Sequence, residues 1–372
     1  MWYCGFRAKN TPQASCGPEP AARQATNEYR ISFYASTRSR SPCQPASRRP
    51  RPSLRAQLSS PRTGAFDLQD FGLELGGTLP GARLVYRMHG TLSAACDNAV
   101  LFPHQYSGTP ASLDRWIGPG RPLDPQRWFV ICPGQLGNGE SSSPSNCEPP
   151  FPNLTIGDDV EAQRRLLDDL GVEHVELALG FSMGAQQAWE WGVRFPERVR
   201  RLALFAGTAQ TTQYGALHVE AAAESLRDGG LAAHARYWAS TALSADLFRH
   251  DTWRAAGFAS VDELVQQLFV DDFAGLDADD LFCQLGKWRR ADVSRHTQGD
   301  LHAALGRITA RTFVIPFSHD AVFPAGDCKA EQELVPGSEL RVVESVWGHY
   351  AWGITEAETR QVDCFLNELF TE

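Results

Sequence analysis

A five-residue string, Gly180-Phe181-Ser182-Met183-Gly184, constrains this chain more than any other feature, because of what flanks it. Before it runs an apolar, β-type segment, Val175 to Leu179, and after it residues 185–195 are long enough for about three helical turns. A strand that reverses so sharply into a helix holds one residue in a strained turn and exposes its side chain above the sheet. Glycines are needed on either side because a Cβ there would strike the neighbouring strand or helix. The spacing predicts a nucleophile elbow centred on Ser182, against the plainer reading of a Gly-rich turn with an ordinary serine.

A serine hydroxyl is a poor nucleophile at neutral pH and needs a base, itself oriented by an acid, to take its proton. Around an elbow of this kind the acid and then the base follow the serine along the chain. The run Thr312 to Pro316 reads as a buried strand, and Asp320 lies just beyond its carboxyl end, where open α/β sheets gather their catalytic groups. A further run, Leu340 to Val343, leads into a loop that carries His349 to the same edge. Asp327 and Asp292 are weaker candidates for the acid, one following a turn and the other lying in a helical region. His319 reads as a loop residue. Met183, directly after the nucleophile, is the expected first amide donor to the oxyanion.

The rest of the chain alternates strands and helices. Thr155 with Asp158 three residues later looks like a capping pair, opening a helix that Gly171 closes before the strand at Val175. Such alternation gives a mostly parallel sheet with helices on both faces. Between the strands Leu202–Phe205 and Thr312–Pro316 the chain is too long for one crossover helix. It holds helical-looking pieces at Ala216–Leu226, Leu231–Leu243, Val261–Phe269 and Asp279–Arg290. The expected organisation is therefore an α/β core over 66–211 and 306–372, with a helical cap inserted at 212–305. Trp238, Trp253, Phe269, Phe282 and Trp288 in the cap either line a substrate pocket over Ser182 or simply pack a core.

From about Leu73 onward, the chain resembles the homoserine O-acetyltransferase-like family of α/β hydrolases, a poorly characterised branch of it in particular. The resemblance rests on Gly90-Thr91-Leu92 with Asn98 to Leu101, Trp116 to Gly120, Phe129-Val130-Ile131, Gly137 to Pro144, Gly180 to Gln187 and Gly348-His349. It implies an α/β-hydrolase fold with a helical cap. It also implies a second oxyanion donor in the loop Pro103 to Gly108, the amide of Tyr106, which leaves His104 to shape that loop. Homoserine acetyltransferases use an arginine after the strand that follows the elbow helix and an aspartate directly after the catalytic histidine. Here Thr208 to Leu226 contains no Lys or Arg, and Tyr350 follows His349. Both charge partners of an amino-acid substrate are missing, unless Arg227 or another cap cation compensates, and a buried charge without a partner is costly.

Residues 1–65 are a different material. They hold eleven Lys and Arg against two acids, a surplus of +9 in a chain of net charge −9, so the remainder carries about −18. Rich in Ser, Pro and Arg, the segment is expected to be disordered, as a transit peptide or as an upstream region translated from a mis-assigned start. The acidic remainder has little attraction for nucleic acid or anionic membrane, and no apolar run approaches the ~18 residues of a membrane span. Nine Cys without C-x-x-C spacing suggest reduced thiols and no metal site. A cytoplasmic location follows, or an organellar one if the tail is a transit peptide.

The function expected is covalent acyl transfer: hydrolysis of an uncharged or apolar ester, with Trp238, Trp288 and Tyr350 as candidate substrate contacts. No cofactor is called for. The alternatives are an O-acyltransferase taking acyl-CoA as co-substrate and a non-catalytic ligand-binding protein of the same fold. A small-molecule substrate is the expected partner, with a homodimer left open.

Overall fold

The computed structural model describes residues 60–371, so the expected tail up to residue 59 lies outside the described residues. Eight strands form one sheet in the order β1-β2-β4-β3-β5-β6-β7-β8. β1 (Arg62–Gly72) and β2 (Thr78–His89) make an antiparallel hairpin, and β2 is also antiparallel to β4 (Phe129–Pro133). All other neighbours are parallel: β3 (Ala99–Leu101), β4, β5 (Leu177–Phe181), β6 (Arg201–Phe205), β7 (Arg311–Ile315) and β8 (Glu339–Leu340). β3, β4 and β5 are buried at every residue, which is why they read as unbroken apolar runs, whereas the edge strand β1 is mostly exposed.

Two boundaries differ from the sequence reading. Arg62 to Ala65, expected in the tail, pair instead with Met88 to Val85. Backbone hydrogen bonds to β2 recruit them although they bring little apolar side chain, so strand structure begins at Arg62. The last strand also differs from Leu340–Val343, since regular pairing covers only Glu339 and Leu340. Beyond Leu340 the pairing survives as single bonds, from Arg341 N–H to Val314 O at 3.0 Å and from Val343 N–H to Pro316 O at 3.0 Å. Those contacts still steer the chain back to the carboxyl edge.

α1 (Ile156–Asp169) opens with the capping box seen in the sequence, since Thr155 and Asp158 bond each other's backbone N–H. It packs against α2 (Met183–Arg194), which lies on β5 and β6. Between β6 and β7 the chain from Thr212 to Leu305 is built of helical pieces, dominated by α3 (Gln213–Ala242) and α4 (Ala278–Arg289), which lie against each other. The two helices expected at 216–226 and 231–243 abut as one run, broken at Gly230 by a φ of 66° that glycine accepts without strain. α5 (Ala325–Gln332) follows β7, and α6 (Glu356–Phe370) closes the chain against β6 and β7.

Candidate active site

Ser182 stands between β5 and α2 with φ 57° and ψ −123°, a conformation that costs an L-residue on the order of 1–3 kcal/mol and persists because strand and helix hold it from both sides. The two flanking glycines are required for different reasons. A Cβ on Gly180 would lie 2.1 Å from the carbonyl carbon of Gly184, so strand and helix could not fold back on each other. A Cβ on Gly184 would lie 2.4 Å from Pro103 O, displacing the loop after β3 from the first turn of α2.

The loops after β7 and β8 bring Asp320 and His349 to this turn. The Ser182 hydroxyl lies 3.0 Å from His349 Nε2, and His349 Nδ1 lies 2.6 Å from Asp320 Oδ2. The other carboxylate oxygen, Oδ1, accepts the backbone N–H groups of Val322 and Phe323 at 2.7 and 3.1 Å. Asp320 is thereby held as an acceptor on both oxygens, which fixes His349 as the Nδ1–H tautomer with Nε2 turned to the serine. Phe181 and Phe323 flank the imidazole, their ring centres 4.7 and 5.7 Å away. All three polar residues are buried.

The competing candidates have other partners. Asp327 accepts from the Thr212 hydroxyl, and Asp292 accepts from the N–H and hydroxyl of Ser294. His319 bonds Ser345 O and faces Asp246. His104 bonds Gln105 O at 2.8 Å, within the loop after β3, and burial pushes its pKa down to about 4. Met183 is the first residue of α2, where N–H groups have no intrahelical acceptor. Tyr106 lies in the loop that Gly184 admits; Gln187 of α2 reaches back to bond His104 O at 3.3 Å.

With this geometry in place, the comparisons with known proteins are decisive about family. The family described as alpha/beta hydrolase fold matches residues 98–352. The chain belongs to the α/β hydrolase family. An ethyl acetate hydrolase of Pseudomonas veronii is 40% identical over 335 residues, covering 83% of this chain and 96% of that protein. The solved structure of an acetylester hydrolase from Corynebacterium glutamicum superposes with a TM-score of 0.81 at 38% identity, over 83% of this chain and 96% of that one. A homoserine O-acetyltransferase of Thermobifida fusca (strain YX) is 30% identical over 349 residues, covering 81% and 91%.

In this α/β hydrolase the cap supplies an aromatic layer. Trp238 stacks on Tyr106 with ring centres 5.4 Å apart and on Trp288 at 6.1 Å. Trp288 stacks in turn on Phe323, at 5.2 Å, and so reaches the ring beside His349. Tyr350 is placed against Phe269 at 4.7 Å. Trp253 is buried in the cap, whereas Phe282 sits under the exposed Arg227. Two cap histidines went unnoticed in the sequence. The His234 Nε2 takes both the Tyr106 hydroxyl and the Trp238 indole N–H, each at 3.0 Å. His218 lies between Trp238 and Trp288, and burial, then the nearby charge of His349, push its pKa down to about 4. No local motif marks either one.

Charge is scarce around this layer. Of the lysines and arginines among residues 212–305, only Lys287 is buried. It is fully committed, donating to Asp159 Oδ2 at 2.6 Å, Leu136 O at 2.7 Å and Gln135 Oε1 at 3.2 Å. Arg227, the cation that sequence alone left open as a compensating partner, is exposed. Elsewhere, Glu74, Glu190 and His296 come close enough to suggest a metal ligand set, but Arg295 already bridges both glutamates.

Proposed function

We propose that this α/β hydrolase cleaves small uncharged carboxylic esters, acetyl esters first among them, through an acyl-enzyme on Ser182. As His349 Nε2 takes the hydroxyl proton, Ser182 Oγ attacks the ester carbonyl carbon. The imidazolium so formed is stabilised by Asp320 through Nδ1–H, and the oxyanion rests between the N–H groups of Met183 and Tyr106. Collapse breaks the bond to the alcohol oxygen, which leaves with the proton from His349. Water then repeats the sequence and frees the acid. No cofactor enters any step.

The observation that carries this reading is the Ser182–His349–Asp320 chain, at 3.0 and 2.6 Å, beside aromatic side chains and, among the described residues, without a free buried lysine or arginine. Such walls suit an uncharged substrate and give no answer to a carboxylate. The names of the ethyl acetate hydrolase and acetylester hydrolase relatives point the same way. Transfer to an alcohol acceptor is the second reading, favoured by the acetyltransferase relatives. The test is hydrolysis of ethyl acetate and longer acyl esters, beside acetyl-CoA with L-homoserine followed as free thiol. Ester turnover falling as the acyl chain lengthens supports the proposal; homoserine-dependent CoA release that saturates contradicts it.

No helix among the described residues is long and apolar enough to cross a membrane. The free thiols of Cys96, Cys132, Cys147, Cys283 and Cys328 suit a reducing compartment, and we place the enzyme in the cytoplasm. Recovery of activity in a membrane or secreted fraction would overturn that placement.

A further inference from the structure

We propose that Lys287, a residue of the cap, is a positioning residue for the oxyanion hole: through Gln135 and His104 it fixes the orientation of the Gln105–Tyr106 peptide. The inference rests on the reading of the Tyr106 amide as the second oxyanion donor.

One buried chain of hydrogen bonds links Lys287 to that peptide. A lysine nitrogen can only donate, so the contact from Lys287 Nζ obliges Gln135 to present its oxygen, at 3.2 Å. That choice turns the Gln135 amide NH2 the other way, onto His104 O at 2.7 Å. The His104 backbone is thereby anchored, and its ring is carried against the next carbonyl, with Nδ1 2.8 Å from Gln105 O. An oxygen at that distance requires the hydrogen on Nδ1. Gly108 N–H bonds the same carbonyl at 3.1 Å. In a planar trans peptide the C=O and N–H point in opposite directions, so two donors on Gln105 O set where the Tyr106 N–H aims. From the other side, the Tyr106 ring is pinned in the cap by His234 and Trp238.

Lys287, Asp159, Gln135 and His104 are all buried, and Lys287 and Asp159 have no exposed side chain at all. An ion pair sunk this deeply is weak evidence for stability, since removing both charges from water is expensive. Its placement makes sense as a device of orientation. Because Lys287 belongs to α4, Asp159 to α1 and Gln135 to the loop two residues beyond β4, the pair also makes the oxyanion peptide sensitive to how the cap is seated.

Gln135→Glu is the sharpest test, because its carboxylate still accepts from Lys287 but offers no N–H to His104 O. With an acetyl ester as substrate, kcat per titrated serine is expected to fall about 10- to 100-fold while KM stays within about threefold. Affinity for a trifluoromethyl ketone, which forms a tetrahedral adduct on Ser182 and needs the same hole, should drop by the same factor. The double variant Lys287→Met with Asp159→Asn removes the ion pair as a unit, keeping an acceptor for Leu136 N–H, and should repeat the pattern should the first variant fail to fold. A folded variant of either kind that keeps kcat within about threefold, or loses kcat without losing ketone affinity, overturns the inference. A wild type that turns over no ester and is not labelled at Ser182 overturns the underlying reading as well, so the two failures are told apart.

Discussion

Replacing Asp320 by Asn changes one atom and should remove nearly all turnover. Asp320 Oδ1 receives two backbone N–H groups, so the amide oxygen of Asn must take that place, leaving its NH2 directed at His349 Nδ1. Two N–H groups cannot face each other at the 2.6 Å of the native contact. The imidazole therefore shifts its hydrogen to Nε2, which then meets the Ser182 hydroxyl as a donor and cannot accept its proton. Loss of the correct tautomer is worth about 10⁴ in kcat, or about 5 kcal/mol of barrier. Steady-state hydrolysis of an acetyl ester, normalised to protein whose circular dichroism matches the wild type, reads this directly. Asp320 acts on the imidazole and takes no part in binding the ester, so KM should change little. More than about a tenth of wild-type turnover in Asp320→Asn would refute the assignment of Asp320 as the orienting acid.

Gly184→Ala places a methyl 2.4 Å from Pro103 O, so the loop after β3 must move; kcat should fall about 10²-fold and the thermal midpoint by several degrees, and a variant with wild-type kcat would show that the loop is not tightly seated. His218 has a folded pKa of about 4 against 6.5 when unfolded, a depressed base, so its contribution to stability is complete above about pH 6.5 and is lost as pH falls through about 4. His218→Phe should therefore reduce the fall in melting temperature between about pH 7 and about pH 5, whereas an unchanged pH sensitivity would contradict the burial argument. Since no buried cap cation is available to a substrate carboxylate, ethyl acetate should be cleaved far faster than an acetyl ester carrying a free carboxylate; equal kcat/KM for the two would show an unrecognised anion site.

Much of this candidate site is legible in the sequence, because its parts sit where secondary structure changes. The elbow announces itself by two glycines around a serine, and Asp320 and His349 each follow a β-type run within a few residues. Capping at Thr155 is equally local. What stayed hidden depends on distance along the chain. Lys287 meets Asp159 across 128 positions and Gln135 across 152, and nothing in the neighbourhood of any of the three marks the contact. The β1–β2 hairpin was missed for a different reason: an exposed edge strand is held by backbone pairing and shows little apolar alternation. Trp238 and Trp288 illustrate a third limit, since helical spacing cannot tell a core tryptophan from one stacked into the layer that reaches the ring beside His349.

Reaction with a fluorophosphonate probe tests the central claim most directly, since only a serine activated by a base and backed by an oxyanion hole reacts readily. The folded wild type should take up one label per chain, at Ser182, and Ser182→Ala of matching circular dichroism should take up none. Absence of labelling in the folded wild type, or equal labelling of Ser182→Ala, would contradict a serine nucleophile and leave a ligand-binding protein built on a hydrolase fold.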